Sequence, residues 1–129
     1  MDKGKILVAD DDNPNLESVC GELEREGFTV FGAVEPEEIF DIAGKERPDI
    51  VFIDLVMQGM NGVEICRKVK EIALEADVVL LSGFPQEIER SLMDFIKAGG
   101  RDEYLRKPLF NGEITESAEK IMGEKRGKI

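Results

Sequence analysis

The chain has 129 residues, room for one domain with a single core, since domains most often run to about 100–150 residues. Its 42% hydrophobic and 35% charged composition excludes a disordered chain, and no apolar run approaches the roughly 20 residues that a bilayer-spanning helix needs. A formal charge of −11 opposes direct binding to nucleic acid, and the absence of histidine excludes histidine-containing metal sites and catalytic triads.

Short apolar runs alternate with longer amphipathic segments, which predicts five strand–helix pairs around a parallel sheet. The first run, Ile6-Leu7-Val8-Ala9, ends in Asp10-Asp11-Asp12. A helix follows, with Asn13 as its N-cap, Pro14 in its first turn, and Leu16, Val19, Cys20 and Leu23 on its buried face. Residues 28–31 read as a second strand, and Pro36 opens a second helix that carries Ile39, Phe40 and Ile42 and stops at Gly44.

Ile50-Val51-Phe52-Ile53 is wholly apolar, as in a central strand buried on both faces, and Asp54 stands at its C-terminal end. Gly59 and Gly62 loosen the loop after it, before a third helix carrying Val63, Cys66, Val69 and Ile72. Both cysteines thus fall in helical patterns, where a buried thiol is commoner than a ligand. Residues 78–81 form a fourth strand ending in Ser82-Gly83, and Pro85 begins a helix with Ile88, Leu92, Phe95 and Ile96 inward. Gly99-Gly100 ends it, residues 103–105 make a fifth strand, and Lys107-Pro108 precedes a last helix buried through Ile114, Ala118 and Ile121. The domain is expected to span residues 1–129, with a core of about 4–123 and a frayed basic tail at 124–129.

In an open parallel sheet with right-handed crossovers, all strand C-termini meet at one edge, where ligands bind. Asp10, Asp11, Asp54, Ser82 and Lys107 all follow strands and converge there. Singly, each is more often a turn residue, a cap or a surface charge; their joint position at strand ends is harder to dismiss. Three close carboxylates have raised proton affinities unless a hard divalent cation, Mg²⁺ or Mn²⁺, neutralises them. A carboxylate can attack phosphorus while an ammonium neutralises the transferring oxygens, roles that suit Asp54 and Lys107, and Ser82 could donate to a phosphoryl oxygen.

These residues resemble the receiver domain of two-component response regulators over nearly the whole chain. The segment from Lys5 to Asp12 resembles that family's first strand and acidic pocket, the one from Pro48 to Gly62 its acceptor strand and loop, Val79 to Gly83 its hydroxyl segment, and Tyr104 to Pro108 its lysine segment. The resemblance implies a flavodoxin-like (βα)5 fold, doubly wound, with a parallel five-stranded sheet in strand order 2-1-3-4-5. It implies phosphorylation of Asp54; metal binding by Asp10, Asp11, Asp54 and the backbone carbonyl of Val56, with Asp11 the more direct ligand; switching through Ser82 and Tyr104; and a cis bond between Lys107 and Pro108. Tyr104 rests on the resemblance alone, since a lone aromatic on an edge strand is more often packing.

The same resemblance implies a histidine kinase or hybrid kinase as phosphodonor and a downstream protein target bound by the face of the fourth helix, fifth strand and fifth helix. It further implies a signalling phosphoacceptor rather than a turnover enzyme. The lack of a spanning run, and of the apolar stretch of a secretory signal in Met1 to Lys5, sets the expectation of a cytoplasmic domain off the membrane, and a monomer or weak homodimer is expected. The chain departs from the family pattern at Gln58, where Pro is usual, at apolar Val56 and Phe84, and at Leu109 in place of Phe. Apolar Val56 and Phe84 would position water poorly, so slow self-dephosphorylation is expected. Two alternatives stand beside this reading. One is a degenerate receiver acting as a protein-binding scaffold. The other is an aspartyl-phosphate phosphatase, which usually carries an acid two residues past the nucleophile, where this chain has Val56.

Overall fold

The computed structural model describes residues 2–57 and 59–127. Five strands, β1 (Lys5–Ala9), β2 (Thr29–Ala33), β3 (Ile50–Asp54), β4 (Asp77–Ser82) and β5 (Tyr104–Arg106), form one parallel sheet in the order β2-β1-β3-β4-β5. The helices are α1 (Asn13–Arg25), α2 (Pro36–Glu46), α3 (Gly62–Ile72), α4 (Pro85–Lys97) and α5 (Glu113–Gly127). This is the doubly wound, flavodoxin-like arrangement expected. Strand order reverses between β1 and β3, so the crevice beyond their C-terminal ends is the fold's natural binding position.

Alternate side chains of the central strands enter two different cores. Leu7, Val51, Ile53, Val78 and Leu80 pack with Ile39 of α2, Ile65 and Val69 of α3 and Phe95 of α4. Ile6, Val8, Ile50, Phe52, Val79 and Leu81 face the other way, toward Leu16, Val19 and Leu23 of α1 and Ile114, Ala118 and Ile121 of α5. Burial on both faces is why β3 reads as an unbroken apolar run. Among the described residues, no helix is long and apolar enough to cross a membrane.

Several local expectations are corrected. The N-cap of α1 is Asp12, not Asn13: Asp12 has extended dihedrals, its side chain accepts from Asn15 N at 3.5 Å, and its carbonyl receives Leu16 N at 2.9 Å. Helix α2 runs through Gly44 to Glu46 and ends at Arg47, which takes the left-handed conformation (φ 51°) that glycine usually supplies. In α3, Ile65 is fully buried while Ile72 is only partly so, because a shift of one residue turns the helix face by about 100°. Strands β2 and β5 begin one residue later than predicted, and the loop after β3 contains a short antiparallel ladder pairing Val56 with Asn61 and Met57 with Met60.

Gly62 does not loosen that loop. It is buried, and a Cβ there would stand 3.0 Å from the Cα of Leu55 and 3.2 Å from the carbonyl oxygen of Asp54, so glycine lets α3 start against the strand end. The predicted frayed tail is helical as far as Gly127, anchored by Lys125 to Asp77 (2.8 Å), Glu124 to Arg101 (2.7 Å) and Arg126 to the Lys3 carbonyl (2.6 Å). Lys128, Ile129 and the departure at Gln58 lie outside the described residues.

Candidate functional site

The acidic site is assembled by register. β1 ends at Ala9 beside Ile53, so Asp10 and Asp11 leave one strand where Asp54 closes the next. Asp54 pairs with Leu81, which places Ser82 one step further along β4; Ser82 pairs with Arg106, and its carbonyl receives Lys107 N at 2.9 Å. Four strands thus deliver five polar residues to one edge.

One carboxylate oxygen from each of Asp10, Asp11 and Asp54 lies within 4.8 Å of the others. Lys107 Nζ bridges two of these groups, at 3.0 Å from Asp10 Oδ2 and 2.8 Å from Asp54 Oδ2. Asp10 is fully buried and receives two further donors, the Asp12 N–H on Oδ1 at 3.0 Å and the Asn15 amide on Oδ2 at 2.7 Å. Asp54 is nearly buried and accepts the Val56 N–H on Oδ1 at 3.2 Å. Asp11 is exposed and, among the described residues, makes no ion pair.

The carboxylates do not all gain proton affinity, as the sequence alone suggested. Burial pushes Asp54 up to about 6, and the negative Asp10 pushes the same way against the pull of Lys107 and the Val56 N–H. Burial acts on Asp10 too, but the Asp12 N–H, Lys107 and Asn15 outweigh it and hold this carboxyl below its ordinary value. Burial disfavours the charged Lys107, yet hydrogen bonds to Asp54 and Asp10 outweigh that and strengthen its hold on the proton. Two neighbouring carboxyls therefore diverge, one poised near neutrality and one firmly ionised.

With Lys107 charged, three carboxylates and one ammonium leave about two negative charges at an oxygen-only site. That balance and donor set fit a hard divalent cation such as Mg²⁺.

Ser82 is buried, and its Oγ accepts the Phe84 N–H at 3.1 Å. The bond between Lys107 and Pro108 is cis. Tyr104 lies to the side of the acid cluster, half-exposed in a groove of about 570 Å³ lined also by Arg106, Lys107, Pro108, Phe110 and Glu113. Val56 and Phe84, at 50% and 60% exposure, stand on the loops that flank Asp54. Leu109 packs against the core beside α5, while Phe110 next to it is exposed.

Sequence reasoning missed Asn15. A polar side chain three positions into a helix carries no distinct signal; only the spacing from Asp10, one strand–helix junction away, places it beside the acids.

A family model described as the response regulator receiver domain matches residues 6–119. The chain is similar to a response regulator receiver domain protein (CheY-like) from Methanospirillum hungatei JF-1, with 25% identity, a TM-score of 0.87, and 97% of this chain and 98% of that one covered. It is similar to the BeF3-activated DrrB receiver domain, with 27% identity, a TM-score of 0.81, and coverage of 95% and 98%. It also resembles NtrX from Brucella abortus, with 26% identity and a TM-score of 0.87, where the match covers 98% of this chain but 28% of that longer one.

Proposed function

We propose, because this chain belongs to the family of response regulator receiver domains, that it is a signalling module whose phosphoryl acceptor is Asp54. The observation that carries this reading is the bridge of Lys107 Nζ between Asp54 and Asp10, with Asp11 alongside.

An ionised Asp54 oxygen attacks the phosphorus of a phosphohistidine on a histidine kinase or hybrid kinase. The new O–P bond forms as the N–P bond breaks, and the bonding pair returns to the imidazole nitrogen. Lys107, held charged, neutralises the transferring oxygens. Asp10, Asp11, Asp54 and the Val56 carbonyl would hold Mg²⁺ or Mn²⁺, which supplies further neutralisation of those oxygens. The Ser82 hydroxyl, at the same edge, has a proton to donate to the bound phosphoryl group, and Tyr104 senses the shift of the loop after β4. The face of α4, β5 and α5 would then present a changed surface to a downstream protein.

The phosphorylated form is expected to be long-lived, because Val56 and Phe84 flank the site with apolar surface that positions water poorly. Val56 also occupies the place where a phosphatase using an aspartyl phosphate would carry its supporting acid, which favours a phosphoacceptor over a turnover enzyme. We place the module in the cytoplasm, off the membrane and nucleic acid, as one receiver unit in monomer or weak dimer form.

With Mg²⁺ and a small acyl phosphate, intact mass should rise by one phosphoryl group in the wild type and stay unchanged in Asp54→Asn. An unmodified wild type would overturn the assignment, and steady phosphate release from varied monoesters would favour the hydrolase.

A further inference from the structure

Asn15 sits in the first turn of α1, its backbone N–H capped by Asp12 at 3.5 Å and its side-chain amide 2.7 Å from Asp10 Oδ2. That oxygen also receives Lys107 at 3.0 Å, while Oδ1 receives the Asp12 N–H at 3.0 Å. Both carboxylate oxygens are therefore held from the junction of β1 and α1, before the distant Lys107 adds its contact. Asp10 is fully buried, so an oxygen left without a donor has no water to turn to.

A phosphoryl group on Asp54 brings new anionic oxygens to Lys107, whose ammonium is already divided between two carboxylates. As Lys107 turns toward them, Asp10 Oδ2 loses part of a donor. We propose that Asn15 is a positioning residue of the acidic site: its amide keeps Asp10 oriented for the cation and leaves Lys107 free to follow the phosphoryl group. This rests on the phosphoacceptor reading above. Partners that orient a metal-binding carboxylate commonly set affinity by about tenfold or more, although they touch no metal themselves.

The test measures Mg²⁺ binding by calorimetry and the initial rate of phosphoryl uptake from a small acyl phosphate across a Mg²⁺ series. Asn15→Leu and Asn15→Ala are compared with the wild type, and Asn13→Leu, two positions earlier and exposed, controls for an altered helix start. The expected result is a rise of about tenfold in half-saturating Mg²⁺ for both Asn15 variants, larger than the fall in rate at saturating Mg²⁺. Circular dichroism identifies which variants are folded, and either folded Asn15 variant is sufficient. Wild-type half-saturation in a folded Asn15 variant, or an equal rise in Asn13→Leu, would overturn the role. A wild type that takes up no phosphoryl group overturns the phosphoacceptor reading and this proposal together, whereas wild-type uptake with unaltered Asn15 variants overturns this proposal alone.

Discussion

At Asp54, burial and charge repulsion set up a conflict between stability and reactivity. Its carboxyl holds a proton up to about pH 6 in the folded chain against an ordinary 3.8, so the folded state binds that proton more tightly than the unfolded state does. The stability this contributes is present below about pH 4 and is lost as the pH rises toward 6 and beyond. Asp54→Asn removes the conflict, and the variant is expected to be more stable than the wild type at pH 7.5 by roughly 1–3 kcal/mol, with the gap closing near pH 4. Urea unfolding at the two pH values measures this; a destabilised variant at pH 7.5 would show that the Lys107 pair outweighs burial. Under the proposed function, two residues nearby are expected to set the lifetime instead. Replacing Val56 with Asn, or Phe84 with Asn, gives water a hydrogen-bonding partner at the edge of the site, and each change should shorten the phosphorylated half-life several-fold in a mass-resolved decay.

Element ends hold the site in place, and two of them can be probed directly. Because Asp12 rather than Asn13 caps α1, Asp12→Ala should cost about 1 kcal/mol in chemical unfolding, while Asn13→Ala should stay within about 0.5 kcal/mol of the wild type. The reverse order would restore Asn13 as the cap. At the opposite edge of the sheet, Arg101 reaches Asp77 at 3.1 Å, Glu124 at 2.7 Å and Glu103, tying the start of β4, the approach to β5 and the end of α5 into one network. An isolated surface pair would contribute little, but this side chain is three-quarters covered and serves three acids. Arg101→Ala should cost about 1–3 kcal/mol and loosen the last turn of α5 in hydrogen exchange, and an unchanged last turn would assign its order to Lys125 and Arg126 instead.

Across the whole molecule, a net charge of −11 and a concentrated acidic edge lead us to expect divalent cations to act as a stabilising ligand. At a hundredfold excess over its Kd, Mg²⁺ should raise the melting temperature by on the order of 10 °C, well above the effect of sodium at equal ionic strength. Asp11→Asn should remove most of that rise, because Asp11 is the exposed carboxylate left outside the Lys107 bridge. Equal shifts with sodium would mean general screening of the acidic surface rather than a site.

Periodicity in the chain was enough to read five strand–helix pairs, since a strand buried on both faces must be apolar throughout and a packed helix must repeat its apolar face every three to four residues. Strand-end position was also legible, and with it the meeting of Asp10, Asp11, Asp54 and Lys107 at one edge, because parallel strands joined by right-handed crossovers all finish on the same side. Exact termini were less legible: Asp12 and Asn13 are equally good caps by residue type, and only backbone dihedrals choose between them. The end of α2 at Arg47 and the extension of α5 to Gly127 depend on partners distant in the chain, such as Ile72, Asp77 and Lys3, which no local pattern reveals. So does the divergence of Asp10 from Asp54: the two acids are alike as residues, and three donors supplied by folding keep one ionised while burial lifts the other toward neutrality.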